Sequence, residues 1–446
     1  ESDVAMHASG RNDGEVHPGI DLGKGTLKQH YVIAGNRMYG KICKELDVPF
    51  KRCGQYVGMM HWSELLPAYL YACQRKYMCG VSDTRVISGN MKFAIYNSMA
   101  GSVCPYGLTI AYAENAVQNG AEVALNTAVL SMDVKGGKIR SVLTNRGRIY
   151  PEIVINAAGV FAEDVAEMAG DRFYSIHPRR GTNAILDKKA GKLMGGIASW
   201  KTLKKTSGHT KGGGIVHTAH DNLLVGPDAV ETYEKENFAT QAFSIENNFK
   251  KQQGTVKELS QRDIITYFTG VRAPTFEEDF VIERGRKTKN LIHCAGIQSP
   301  GLTTAPAVAK DVAKMAAKMV SASHPVKKNE SYNPYRKGVP RLREMSPEQR
   351  NKLIQKRPDY GVMICRCEEI SKGEIVDALC SPLPVYTVDG VKKRVRPGMG
   401  RCQGGFCMPL VAEIISEVTG QPLEKVKKSG GDSYLLFGKT KAGDGK

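Results

Sequence analysis

The alternation of apolar and polar positions divides the chain into three stretches. Up to about residue 325 the pattern switches between period two and period 3.6, which predicts strands alternating with helices. Leu108 to Asn119 carries apolar residues at helical spacing and stops before Gly120. Glu122 to Leu125 and Ala128 to Val134 read as short strands, Gly136-Gly137 as a hairpin turn, and Lys138 to Thr144 as the return strand. Ile153-Val-Ile-Asn156 reads as a short buried strand that passes through Ala157-Ala-Gly159 into a helix from Phe161 to Ala169. Asn290 to Cys294 is a further short strand. After a turn containing Gly and Pro, a helix runs from about Thr304 to Val320.

Residues 326–360 are rich in Lys, Arg, Pro, Asn and Glu and show little periodicity, which predicts a linker wrapped over a surface. From Met363 to about Val426 the pattern predicts a compact unit of its own. Ser371-Lys-Gly-Glu374 is a capping box opening one short helix. Pro409 suits the first turn of another helix that ends near Gly420. Residues 427–446 are polar and rich in Gly and Lys, and read as a frayed tail.

With 446 residues the chain is long enough for two or three domains, and 41% hydrophobic with 24% charged residues is ordinary for a globular protein. No apolar run approaches the ~20 residues that span a bilayer. Glu1-Ser-Asp-Val-Ala-Met6 lacks the basic and apolar blocks of a signal peptide. The expected location is therefore cytoplasmic, with any membrane contact peripheral and on the inner face. The formal charge of +18 admits nucleic acid, an anionic membrane or an anionic substrate as partners. Basic stretches such as Lys201 to Lys211 and Lys425 to Lys428 do not interleave with aromatics, so they read as solvated surface and not as a nucleic-acid groove.

Seven of the eleven cysteines (Cys43, Cys53, Cys73, Cys79, Cys104, Cys294 and Cys380) stand singly, as reduced packing residues do. The other four are clustered: Cys365-Arg-Cys367, then 34 intervening residues, then Cys402-Gln-Gly-Gly-Phe-Cys407. Thiolates at this spacing can converge on one metal centre, with glycines letting backbone N–H groups approach the sulfurs. Disulfides do not suit a reducing compartment. Zinc usually takes C-x-x-C pairs but remains an alternative. The order C-x-C then C-x4-C, set within Gly398-Met-Gly-Arg-Cys-Gln-Gly-Gly-Phe-Cys407, resembles the [2Fe-2S] domain of the bacterioferritin-associated-ferredoxin type. Arg394, Arg396 and Arg401 would then offset part of the negative charge of a four-thiolate cluster.

Four further segments, taken in order, carry a second resemblance. They are Ser9-Gly-Arg-Asn-Asp-Gly-Glu-Val-His17-Pro-Gly19, Ile155-Asn-Ala-Ala-Gly159, Thr269-Gly-Val-Arg272-Ala-Pro274 and Cys294-Ala-Gly-Ile-Gln-Ser-Pro-Gly301-Leu-Thr303. Together they resemble the FAD-dependent oxidoreductases of the D-amino-acid-oxidase-like superfamily, and within it the anaerobic-type glycerol-3-phosphate dehydrogenase group. The resemblance covers Asp3 to about Lys441. It implies an α/β, FAD-binding Rossmann-like domain with an antiparallel substrate sheet, joined to a small helical iron–sulfur domain. FAD-binding parts are expected at about 1–60, 105–170 and 285–325, substrate-binding parts at about 61–104 and 171–284, a linker at 326–360, and the [2Fe-2S] domain at 361–426.

The resemblance also implies a site. Ser9, Gly10, Asn12, Gly14 and His17 would line the FAD pyrophosphate and flavin, and Val129 would offer backbone groups to the adenine. Ala157, Ala158 and Gly159 would pass close to the dinucleotide. Gly296, Ile297, Gln298, Gly301, Leu302 and Thr303 would face the pyrimidine edge of the flavin. A helix N-terminus there suits an anionic reduced flavin, because it carries about half a positive charge. The fingerprint G-x-G-x-x-G is absent, and the resemblance begins where a first βαβ unit of ~30 residues would end. Asp13 and Glu15 stand where relatives tend to have small or apolar residues.

Arg272 is the expected grip on an anionic substrate, Arg180 is a second candidate, and His17 is the expected base or substrate-positioning group. His217 and His220 read as structural. The implied reaction is oxidation of a small anionic secondary alcohol, such as glycerol 3-phosphate or 2-hydroxyglutarate. Electrons would pass through the [2Fe-2S] centre to a partner protein or quinone. Amino-acid or amine oxidation, a non-enzymatic electron-transfer subunit and a hetero-oligomer remain open at this point.

Overall fold

A computed structural model describes residues 1–59, 61–88, 92–200 and 213–438; the basic stretch Lys201 to Lys211 and Gly212 lie outside the described residues. Two helices meet at its centre. Leu27–Glu45 is opened by Thr26, whose hydroxyl accepts the Gln29 N–H at 3.2 Å. The Ala-rich helix Gly301–Val320 begins three residues earlier than the apolar pattern predicts. The two approach so closely that a Cβ on Gly35 would lie 2.1 Å from the Thr303 carbonyl oxygen, which only glycine avoids. Beside this contact the fully buried Tyr39 donates its hydroxyl to the Leu302 carbonyl.

The helix Gly301–Val320 follows a short sheet in which Val154–Asn156 runs parallel to Leu291–Ala295, itself flanked by antiparallel Val281–Arg284. The parallel pairing brings the turns at Ala157 and Gly296 to the same carboxyl edge, the usual ligand side of an open α/β sheet. The strand expected to be buried is so only in part. Ile155 is 47% exposed, because no further strand pairs with that edge among the described residues. Glu122 to Leu125, expected as a strand, is irregular. Alternation alone cannot hold an extended segment that lacks a partner for its backbone groups. The hairpin Val129–Lys135 with Lys138–Thr144 forms as the sequence predicts, with Gly147–Ile149 as a third strand.

A nine-stranded sheet makes the second layer. Its longest pair, Arg179–Leu186 with Ile264–Arg272, lies toward one end, is antiparallel and sets Arg180 opposite Val271 and Gly181 opposite Gly270. Gln55–Gly58 joins this sheet through a parallel pairing with Ile197–Trp200. Between the layers, Glu15–Val16, Gly101–Val103 and Phe50–Lys51 form a small antiparallel sheet that leads straight into His17.

The cysteine-bearing unit has its own core, with Ile364, Ile375, Val391, Val411 and Ile415 among its members. The Ser371 capping box forms as expected: its hydroxyl accepts the Glu374 N–H and the Glu374 carboxylate accepts the Ser371 N–H. Met408–Thr419 ends at Gly420, whose φ is +70°. A third helix, Val388–Val395, was not anticipated. The linker also holds a helix, Pro347–Lys356, opened by a capping box between Ser346 and Gln349. It is pinned to the main body by Arg336 on Glu114 and by Arg341 on Asp47 at 3.1 Å. The tail is not frayed where it is described: Lys427 bridges both Thr387 and Tyr434. Residues 439–446 lie outside the described residues.

Candidate functional site

Four elements converge on His17. Its backbone N–H donates to Thr303 Oγ1 at 2.9 Å, its carbonyl accepts from Asn36 Nδ2 at 2.9 Å, and its ring Nε2 lies 3.4 Å from Ser299 Oγ. Nδ1 lies 3.0 Å from Glu15 Oε1, and both side chains are about nine-tenths buried. Glu15 and His17 share a face because they are two residues apart in extended chain. The Glu15 carboxylate also accepts from Gln55 Nε2 at 2.9 Å. Its charge is thus held inside the protein and not presented to a ligand.

The turn before Gly301–Val320 is built for close approach. Gly296 has φ +67° and a Cβ there would strike the Asp279 carbonyl oxygen at 2.7 Å. Gln298 is anchored by Glu278; Pro300 supplies no side-chain cap to the helix, and the Gly301 N–H is taken by the Gln298 carbonyl. Ala157, Ala158 and Gly159 are exposed at the adjoining carboxyl edge, and Ile297, Gly301 and Leu302 lie on the same turn. In the N-terminal loop Asn12 Oδ1 accepts the Gly14 N–H at 2.9 Å, and Gly10 hydrogen-bonds His7. Ser9 is exposed. Val129 stands 39% exposed at the start of its own hairpin, and no hydrogen bond joins it to the turn at Gly296.

The two candidate arginines differ in what already holds them. Arg272 directs Nη2 to the Asp228 carbonyl at 3.0 Å and Nη1 to the Arg180 carbonyl at 3.5 Å. Its guanidinium lies against Gly181, where a Cβ would come within 2.3 Å of Nη2. Burial pushes its pKa down. Arg180 makes one side-chain bond, to Gln241 Oε1 at 3.1 Å, and its buried Nε has no partner. Arg180 therefore has the donor to spare. Its neighbour Arg179 is committed to Glu231 and Glu278. His217 closes the strand Gly214–His217 inside the nine-stranded sheet and lies 3.7 Å from Asp221, and His220, in the turn that follows, contacts Arg343 of the linker.

The four clustered cysteines come together as two pairs. Cys367 and Cys402 are exposed with their sulfurs 3.7 Å apart; Cys365 and Cys407 are both buried in the core of the unit. The Cys407 thiol lowers the Cys365 pKa to about 6, aided by N–H groups of Gly398 and Glu368. The backbone N–H of Phe406 holds Cys402 below its usual value. Four thiolates on one tetrahedral zinc would all lie within about 4 Å of one another, given Zn–S bonds of ~2.3 Å. Among the described residues no three of these sulfurs lie within 4.8 Å of one another. The donor set is that of a two-metal cluster, and Gly400 leaves room for it: a Cβ there would be 2.3 Å from Cys367 Cβ.

A family model described as FAD dependent oxidoreductase matches residues 1–315. The chain belongs to this family. A second model, the BFD-like [2Fe-2S] binding domain, matches residues 363–417 and so encloses all four clustered cysteines. A glycerol 3-phosphate dehydrogenase of Caloramator mitchellensis is 36% identical over 99% of this chain and 93% of its own length. The mitochondrial L-2-hydroxyglutarate dehydrogenase of Mus musculus is 22% identical over 71% of this chain and 81% of its own. Among solved structures, an L-alpha-glycerophosphate oxidase from Mycoplasma pneumoniae with FAD bound superposes with a TM-score of 0.66 at 20% identity, over 75% of this chain and 90% of that one.

This FAD-dependent oxidoreductase thus takes two cofactors, FAD and a [2Fe-2S] cluster. The residues present suit both. For FAD, the exposed Ala157–Gly159 edge, with open space in front of Gly159, and the helix start at Gly301, which has no side-chain cap, are the parts that would receive it. Two thiol pairs with N–H groups on their sulfurs form a cradle for the cluster. No helix among the described residues is long and apolar enough to cross a membrane. What could have revealed Glu15 from sequence is its i, i+2 spacing to His17; the spare donor of Arg180 has no local signal.

Proposed function

We propose that the protein oxidises a small anionic secondary alcohol, glycerol 3-phosphate or a 2-hydroxyacid such as 2-hydroxyglutarate, and delivers the electrons through its four-cysteine centre to a partner protein or quinone. The pairing of Glu15 with His17 carries this reading. A carboxylate on Nδ1 favours the tautomer with its proton there. Nε2, 3.4 Å from Ser299 Oγ at the start of the helix at Gly301, is then the acceptor for the proton of a substrate hydroxyl. FAD, when bound, accepts the hydride from the carbinol carbon. Arg180, whose guanidinium is committed only through Nη2 to Gln241, holds the substrate's anionic group, and Arg272 fixes the strand from which Arg180 projects. Ser9, Gly10, Asn12 and Gly14 shape the loop that enters the site, and Gln298, Ile297, Leu302 and Thr303 shape the turn opposite.

The test is anaerobic bleaching of the flavin absorbance, in the purified protein, by glycerol 3-phosphate, 2-hydroxyglutarate and a panel of amino acids. Bleaching by an alcohol, followed by cluster reduction, is the expected result. Bleaching by amino acids alone would replace this reading with amine oxidation. A cluster that stays oxidised while the flavin is reduced would remove the electron path.

Peripheral contact with an anionic membrane has its support in one helix. Leu65–Cys73 buries only Ala68 and Ala72 and leaves Leu66, Tyr69 and Leu70 each more than half exposed. Trp62, Tyr77 and Met78 extend the patch, with the exposed Lys76 on the next turn. Interfacial segments combine aromatic, aliphatic and basic residues in this way. A second copy of this chain, at +18, would be repelled by its own charge. Co-sedimentation with phosphatidylglycerol vesicles but not phosphatidylcholine vesicles, lost in L66E/L70E, is expected; concentration-dependent dimers without vesicle binding would refute it.

A further inference from the structure

The two thiol pairs are not equivalent. Cys365 and Cys407 are 1% and 2% exposed, packed among Ile364, Ile370 and Val411, whereas Cys367 and Cys402 open to solvent. The inner pair shares one buried core cluster, and the outer pair is closed by the 3.7 Å approach of its sulfurs. Each pair can chelate one metal, and the failure of any three sulfurs to cluster keeps the pairs distinct. A two-iron cluster bound here therefore has an inner iron and an outer iron.

The surface around the outer pair has a definite character. Phe406 is 58% exposed, and the Arg366 guanidinium stacks over its ring at 5.0 Å. Arg366 is exposed and pairs with no carboxylate among the described residues. The Arg401 side chain, 70% exposed, reaches Asp187, just beyond the strand Arg179–Leu186 of the nine-stranded sheet. Glu368 is buried among Lys188, Arg343 and Arg396, which leaves Glu369 as the exposed carboxylate of this stretch. An exposed aromatic with an unpaired arginine over its face, beside two solvent-facing sulfurs, suits a small, transient interface steered by charge.

We propose that Cys365 and Cys407 hold the inner iron and Cys367 and Cys402 the outer one, and that electrons leave from the outer iron to an acidic one-electron carrier protein docked on Arg366 and Phe406. The added electron makes the cluster more negative, and water and the nearby guanidinium groups stabilise that charge best at the outer iron. At the exit step the outer iron passes from ferrous to ferric and the carrier gains one electron. No proton moves and no bond breaks. This rests on the proposed reading that electrons leave through the cluster.

The full chain, reconstituted with iron-57 and reduced by dithionite, bypasses the substrate and the flavin. Mössbauer spectra should show one ferrous and one ferric site. Cys367→Ser or Cys402→Ser should change the ferrous doublet and leave the ferric one; Cys365→Ser and Cys407→Ser should do the reverse. A changed ferrous doublet in an inner variant overturns the assignment. Arg366→Glu keeps all four thiols and tests the port where a serine variant fails to assemble. Oxidation of the reduced cluster by ferricyanide should slow at least fivefold at low ionic strength in Arg366→Glu, while oxidation by the tris(phenanthroline)cobalt(III) cation should quicken. Rates that ignore both salt and Arg366→Glu would refute the port. Normal behaviour in these assays, with no substrate-driven reduction, would sink only the substrate reading.

Discussion

The backbone N–H of His17 donates to the side chain of Thr303 across 2.9 Å, although 286 residues separate them. Thr303 is fully buried and also donates to the Glu15 carbonyl, at 3.3 Å. One hydroxyl thus locks the strand carrying the candidate base to the start of the helix at Gly301. Thr303→Val keeps the shape but strands a buried N–H, which costs about 1–3 kcal/mol. Thr303→Ser should retain most of the stability. Urea unfolding of the three proteins checks this, and equal midpoints would show that the N–H finds water instead.

If Nε2 of His17 takes the substrate proton, His17→Asn should lower kcat by about 10²- to 10⁴-fold. Flavin content should stay at the wild-type level, since Asn can still place its backbone N–H on Thr303. Glu15→Gln should cost less, because it keeps Gln55 as a neighbour and removes only the charge that orients the ring. Single-turnover flavin reduction measures both. A His17→Asn rate within threefold of wild type would assign proton transfer elsewhere.

What the sequence exposes and what it hides divide along a physical line. The capping box at Ser371, the stop at Gly420 and the Ala-rich helix are local events, written in residues three or four apart, and they form as expected. The helix Pro347–Lys356 carried an equally local signal, Ser346 to Gln349, hidden by a composition that reads as linker. Glu122 to Leu125 shows the opposite error: the period is present and the partner strand is not. Arg272 and Arg180 differ only in carbonyls and amides supplied from residues 44 or more positions away, which no spacing rule reports.

That difference sets up a contrast between the two arginines. Arg180→Met removes the spare donor and should raise KM for an anionic substrate by about tenfold to a hundredfold, the worth of a charge-assisted hydrogen bond. Stability should change little. Arg272→Met removes the partner of the Asp228 and Arg180 carbonyls and should lower stability first. Measuring KM and thermal midpoint for both variants decides it. A KM effect confined to Arg272→Met would restore Arg272 as the substrate grip.

Gly400→Ala probes the cluster without touching a thiol. The new methyl would meet Cys367 Cβ at 2.3 Å and push the outer pair apart. Iron and acid-labile sulfide per chain should fall well below two each, with the visible cluster bands, while flavin content holds. Full cluster occupancy in Gly400→Ala would mean that the loop from Gly398 to Gly404 yields more easily than its packing implies.

His220 supplies a pH dependence. It is half-buried, with Nε2 shut off from solvent, where the linker meets the cysteine-bearing unit, and this burial lowers its pKa well below the usual value, reinforced by Arg396, Arg343, Lys188 and Arg341. Its Nδ1 faces Arg343 Nη2 at 3.4 Å, so the neutral ring is the acceptor. For a base whose folded pKa is depressed, the unfolded chain binds the extra proton first. The stability contributed by the neutral ring is therefore complete above the unfolded pKa of about 6.5. It is lost as pH falls below that, by about 1.4 kcal/mol per unit until the folded protein also protonates. His220→Asn should flatten this limb between about pH 6.5 and 5 while lowering stability at pH 8 only modestly. Urea midpoints across that range give the slope directly. An unchanged slope in His220→Asn would place the titrating group elsewhere. Glu374, which burial raises above its ordinary value, lies on the same cavity wall and titrates with the opposite sign. The folded protein holds its proton more tightly, so it opposes the His220 loss only at the acid end of the range.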